Sequence, residues 1–185
     1  VASIQWADLS EDKYGVSLLN RSKYGHDVKG NIIRLSLLRS PTWPDETADR
    51  GKHVIAYALY PHQGSWREGE SVRRGYEYNH PPIAVLTGTH AGQLPAEHSF
   101  LQLAPSNLVL TALKAAEDTP DAWIVRWYES QGEKAVAKLT LPRAPTKVVN
   151  SNFLEDDFEE LAAPNRTISI ETAGNSIQTV KVYYK

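Results

Sequence analysis

The sequence predicts an all-β protein, an antiparallel β-sandwich of about ten strands with at most one or two short helices. Three observations carry that expectation. Short runs of alternating or wholly apolar residues recur along the chain, Gly, Pro, Asn and Asp divide them, and only one stretch has helical spacing. The 185 residues suffice for one sizeable core. They are read as a single domain, 1–185, with a possible small terminal sub-layer from about residue 146.

The expected strands are 16–20, 31–39, 54–60, 83–87, 100–103, 107–115, 122–129, 134–141, 146–150, 167–171 and 176–184. In the second, Ile33, Leu35 and Leu37 share one face while Arg34 and Ser36 take the other. Residues 54–60 are apolar on both parities, the pattern of a central strand. In 122–129, Trp123, Val125 and Trp127 alternate with Ile124, Arg126 and Tyr128, which places both tryptophans in or near the core. Lys29-Gly30-Asn31, Gln131-Gly132 and Gly174-Asn175 are turn signals. The helix is expected to open at Ser65, whose spacing to Glu68 matches a capping box. Val72 and Tyr76 then stack one turn apart, Pro81-Pro82 ends the run, and Trp66 packs nearby. Ala144-Pro145 and 162–165 are possible seams, but neither is long enough to be a linker.

Composition removes several function classes. Hydrophobic residues make up 41% and charged residues 23%, ordinary for a globular chain. The net charge of −2 provides no cationic surplus to neutralise phosphates, so no nucleic-acid partner is expected. The apolar runs are too short to span a bilayer, so no membrane partner is expected either. Cysteine is absent, which excludes disulfides, thiolate metal sites and a cysteine nucleophile. Methionine is absent too, and a chain that starts at Val1 without one reads as an excised piece of a longer polypeptide.

No phosphate-binding loop, nucleophile elbow or H-E-x-x-H motif occurs. The six histidines never fall at H-x-H or H-x-D spacing, so no metal site is expected in this chain. Glu155-Asp156-Asp157 with Glu159-Glu160 contains enough carboxylates for glycoside chemistry. That chemistry, however, needs two acids facing each other across a sugar, and adjacent acids on a loop read as a solvated acidic face. Asp49-Arg50 reads as a local ion pair. Asn20-Arg21-Ser22 and Asn165-Arg166-Thr167 match the glycosylation sequon, which matters only in a secreted chain. Trp43, between Pro41 and Pro44, is the one tryptophan placed on an exposed loop.

WADLSEDKYGVSLLN, SKYGHDVKGNIIRLSLLRSPTWPD and ADRGKHVIAYALYPHQGSW closely resemble the C-terminal region of glycoside hydrolase family 38 α-mannosidases, chiefly the cytosolic and microbial branch. SNLVLTALKAAED, WIVRWYESQG and SNFLE fit later strands of the same family, while residues 67–97 match loosely. The resemblance implies a β-sandwich that follows a catalytic α/β domain and a helical bundle. It also implies that zinc, its His and Asp ligands and an Asp nucleophile for retaining hydrolysis of terminal α-mannose lie in those other domains. This chain would then hold no catalytic residue, no metal and no cofactor of its own. Its partners would be the catalytic and helical domains of the same polypeptide, with mannosides in the intact enzyme, and its location cytoplasmic.

The resemblance further implies a loop from the sandwich toward the mannose site. Arg39 is the best match to an arginine that reaches the substrate region, with Tyr24, His26 and Trp43 as companions on the rim. A guanidinium there could donate two bonds to sugar hydroxyls, whereas the local alternative is an ion pair with Asp45 or Asp49. The chain departs from the family at Leu19-Asn20-Arg21, where the usual pattern is L-N-D, so a role for that position is not carried over. The runner-up reading is an independent carbohydrate-binding module with coplanar exposed aromatics. An autonomous hydrolase would need opposed carboxylates on one face. A domain detached from its neighbours should also expose an apolar patch larger than a few hundred Å².

Overall fold

The computed structural model describes residues 1–184, which form thirteen strands and one helix. They fall into two compact units, Val1–Thr87 and Gly88–Lys185.

In the first unit, β1 (Trp6–Ser10), β2 (Tyr14–Asn20) and β5 (Tyr57–Gln63) form an antiparallel sheet in the order β1-β2-β5. The β2–β5 ladder runs unbroken from Tyr14↔Gln63 to Asn20↔Tyr57 although β5 contains Pro61. A proline fits there only because β5 is an edge strand, with the missing N–H on the outer side. The central place expected for 54–60 is therefore corrected. β2 is the central strand, and Leu59 on β5 is 65% exposed. The apolar residues of both parities reflect a strand with a bare apolar face, not one covered on two sides.

β3 (His26–Lys29) and β4 (Ile32–Leu35) make a separate hairpin around Gly30-Asn31, where Gly30 has the positive φ of 57° that the turn requires. β4 is shorter than the expected 31–39. It stops at Leu35, and the chain runs irregularly to Tyr57, with Ser40 at φ 48°.

α1 (Ser71–Asn79) starts six residues after the expected cap. The Ser65 N–H does donate to the Glu68 carboxylate at 2.8 Å, as a capping box requires. The turn it closes ends at Glu70, whose left-handed φ of 52° interrupts the helical path before Ser71. Trp66 packs at a tilt against Trp6, ring centres 5.5 Å apart, and Gly75 lets α1 approach the Trp6 ring closely enough that a Cβ would overlap it. The expected strand 83–87 does not form. Pro81-Pro82 precede it without N–H donors, Ile83, Val85 and Leu86 are almost fully exposed, and no described strand lies alongside.

The second unit is the sandwich itself. A five-stranded antiparallel sheet runs β11-β10-β13-β8-β7, with β7 (Leu108–Ala115), β8 (Ala122–Glu129), β10 (Lys147–Ser151), β11 (Asp157–Glu160) and β13 (Ile177–Tyr183). A three-stranded sheet runs β12-β9-β6, with β6 (Gln102–Ala104), β9 (Ala135–Thr140) and β12 (Thr167–Thr172). Val125, Trp127, Val148, Val180 and Val182 of the larger sheet meet Ala137, Leu139, Ile168 and Ile170 of the smaller in one buried cluster. Alternation explains this layer. On β9 the buried residues are Ala135, Ala137 and Leu139, with Val136 and Lys138 outside. Trp127 is fully buried and donates its indole N–H to Thr172 Oγ1 at 3.1 Å, which satisfies its one polar atom.

A candidate rim loop and a buried Asp–His latch

The rim residues named from the sequence all lie in the first unit. Tyr24 and His26 sit at the base of the β3–β4 hairpin. The Tyr24 ring is half exposed, while its carbonyl accepts the Ser3 N–H at 2.9 Å and faces His26 Nδ1 at 3.2 Å. His26 is buried, and its Nε2 has no partner among the described residues. Arg39 and Trp43 follow on the irregular segment after β4, and Trp43 is 84% exposed. Arg39 forms no ion pair among the described residues. Asp49 instead accepts the Ser40 N–H at 2.9 Å, and Asp45 accepts both the N–H and the hydroxyl of Thr47 at 2.8 and 2.7 Å. Those two bonds hold the exposed Asp45 carboxyl below the usual aspartate range. Both acids that could have neutralised the guanidinium thus brace the loop that carries it.

A second cluster in this unit went unread in the sequence. Asp8 Oδ2 accepts the Nε2–H of His62 at 2.7 Å and the hydroxyl of Ser17 at 2.6 Å, and Oδ1 accepts the hydroxyl of Ser10. Ser17 in turn meets the hydroxyl of Ser71 at 2.6 Å. Because the carboxylate only accepts, Ser17 donates to it, and Ser71 must donate to Ser17. The first residue of α1 is thereby tied through β2 to β1. The His62 and Asp8 side chains are 2% and 4% exposed. The ring lies between Gly15 and Gly69, where a Cβ at either position would overlap it. Among the described residues no hydroxyl is bonded to the imidazole, and the bonds that are made tie β1, β2, β5 and α1 together as a latch.

An apolar concavity of about 700 Å³ opens on the same unit, lined chiefly by Leu9, Val16, Ile32, Ile33 and Leu59, with none of the four rim residues. This is the face that β5 leaves bare.

In the second unit the acidic cluster is an exposed face except at Glu155, although two of its acids have cationic partners. Glu155 is buried and pairs with Lys114 at 2.5 Å, and Lys114 also holds its carboxyl below the usual glutamate range against the effect of burial. Asp157 accepts the Tyr183 hydroxyl at 2.6 Å and lies 3.4 Å from both Lys147 and the buried Lys181. These acids bind β11 and its preceding loop to β7, β10 and β13. Asp156, Glu159 and Glu160 stay exposed, as expected. The structure also separates the two sequons. Asn20 is completely buried, its Oδ1 accepting the Lys23 N–H, whereas Asn165 is exposed. Among the described residues no three His, Asp or Glu side chains converge as a metal-binding set.

Comparison with known proteins decides the family. The family described as "Glycosyl hydrolases family 38 C-terminal domain" matches residues 1–47, and "Glycosyl hydrolases family 38 C-terminal beta sandwich domain" matches residues 107–180. This chain belongs to the C-terminal region of glycosyl hydrolase family 38. The family 38 chain is 35% identical over 165 residues to "Alpha-mannosidase G" of Dictyostelium discoideum, a match to 84% of this chain and 15% of that protein. It is 37% identical over 154 residues to "Alpha-mannosidase 2C1" of Homo sapiens, covering 82% of this chain and 14% of that protein. The chain therefore spans about one seventh of these relatives' length. An alpha-mannosidase from Enterococcus faecalis V583 has the same fold, with a TM-score of 0.77 at 19% identity over 100% of this chain and 21% of the other.

Proposed function

We propose that this family 38 chain is the non-catalytic C-terminal part of a cytoplasmic, zinc-dependent α-mannosidase that hydrolyses terminal α-mannose with retention. In this reading the zinc ligands and nucleophile belong to the catalytic part, and the C-terminal part packs against that part and the helical part. The first unit supplies the rim of the mannose site, with Arg39 donating to sugar hydroxyls and Tyr24, His26 and Trp43 shaping its surroundings.

The observation that carries the reading is the paired family match at both ends of a chain that spans only about one seventh of α-mannosidases. Two features support it. The concavity along Leu9, Val16, Ile32, Ile33 and Leu59 is an apolar face suited to covering by another domain. Arg39 stands on a braced loop with no carboxylate partner among the described residues, so its donors are available to a ligand.

Two measurements test it. The purified 185-residue chain should show no mannosidase turnover, and measurable turnover would overturn the assignment. In the intact enzyme, Arg39→Ala should raise KM about tenfold, the loss of one charge-assisted hydrogen bond, with a smaller change in kcat. An unchanged KM removes Arg39 from the rim.

A further inference from the structure

We propose that the second unit carries a separate binding site for a neutral pyranoside, in the groove where β6, β9 and β12 end. The groove encloses about 430 Å³ and is lined by Glu97, His98, Phe100, Gln102, Thr140 and Arg166, among others. The strand registers build it. Gln102 pairs with Thr140 across β6–β9, Thr140 pairs with Thr167 across β9–β12, and the Leu141 N–H donates to the Arg166 carbonyl at 2.8 Å. The three strand ends therefore form a fixed floor.

The chemistry of the wall selects the ligand. Arg166 offers only donors, Glu97 only acceptors and Gln102 both, and none of these side chains has a partner among the described residues. A simple anion would meet Glu97, and a simple cation would meet Arg166. A polyhydroxylated neutral ring satisfies both, because each hydroxyl can donate to the carboxylate while accepting from the guanidinium. Phe100 stays mostly exposed, with His98 set edge-on against it at 4.7 Å, and it provides the apolar surface on which the C–H face of a sugar rests. This site does not rest on the rim reading, since it shares no residue with Tyr24, His26, Arg39 or Trp43.

The test is titration of the isotope-labelled 185-residue chain with methyl α-D-mannopyranoside, methyl α-D-glucopyranoside and sodium sulfate, followed by backbone amide shifts. A glycoside should perturb residues 97–102, 140–142 and 166. Arg166→Ala should weaken that binding about tenfold and Phe100→Ala about fivefold, both with unchanged spectral dispersion. Glu97→Gln keeps the shape while removing the charge, so it should weaken glycoside binding without creating a sulfate site. Three results would each overturn the proposal: no glycoside response in the groove, a response to sulfate alone, or a response confined to the segment around Arg39 and Trp43. Loss of binding together with loss of dispersion in Arg166→Ala is resolved by Arg166→Lys, which should retain the fold and bind several-fold more weakly than wild type.

Discussion

Replacing Glu129 by alanine is expected to destabilise the sandwich by about 3–5 kcal/mol, the cost of stranding several buried donors at once. Glu129, 2% exposed at the end of β8, accepts the N–H groups of Gln131, Gly132, Glu133 and Asn175 at 2.7–3.2 Å and the side-chain amide of Asn107 at 2.7 Å. One carboxylate thereby closes the β8–β9 turn, fastens it to the turn before β13 and holds the loop that enters β7. Burial by itself would push the Glu129 carboxyl up. The N–H groups of Asn175, Gln131 and Gly132 with the Asn107 amide outweigh it and hold the carboxyl below the usual glutamate range.

The sign of the pH dependence follows. A depressed folded-state value gives stability that is fully present above the unfolded value, about 4.3, and is lost as pH falls toward the folded value. The stability gap between wild type and Glu129→Gln should therefore be widest near neutral pH and narrow below about pH 4. Urea unfolding across that range is the check. A gap independent of pH would show that the carboxylate charge contributes nothing.

The second large effect is expected at the latch. Asp8→Ala should cost about 3–5 kcal/mol in the first unit, because it leaves His62 Nε2 and the Ser17 hydroxyl buried without their acceptor and frees Ser17 from the orientation in which it accepts from Ser71. The loss should appear first as faster amide exchange along Ser71–Asn79, since α1 reaches β1 through that chain of hydroxyls. Asp8→Ala combined with His62→Ala should cost less than the sum of the single changes, the signature of a coupled pair. Additive losses, or unchanged exchange in α1, would show that the helix is held by packing on Trp6 alone.

These two clusters show where the sequence is silent. Alternation made β8 legible to the residue and placed β12 and β13 within a residue or two, because a strand with one buried face writes its period into the chain. Three strands were missed for composition: β1 (WADLS), β3 (HDVK) and β11 (DFEE) carry polar or acidic residues where strand formers are usual. Their polar side chains serve partners that alternation cannot reveal. His62 is 54 residues from Asp8, and Asn175 is 46 from Glu129. The partners of Glu155 and Asp157 went unseen because each acid was judged by its neighbours in sequence, whereas Lys114, Lys181 and Tyr183 arrive from other strands. The helix was found but misplaced, since spacing alone cannot foresee the left-handed Glu70 that ends the first turn. The proposed rim segment was singled out only through its likeness to a family. Nothing in its local pattern separates Arg39 from any other arginine following a strand.

Pro61 has a consequence beyond its own ladder. The outer flank of β5 lacks one of the donors that an arriving strand would need, so a second sheet cannot grow from it in register. The unit can therefore expose the apolar concavity along Leu9, Val16, Ile33 and Leu59 without inviting fibre-like stacking along the same strand. Adhesion through the face is permitted, and extension through the edge is blocked by a single imide nitrogen.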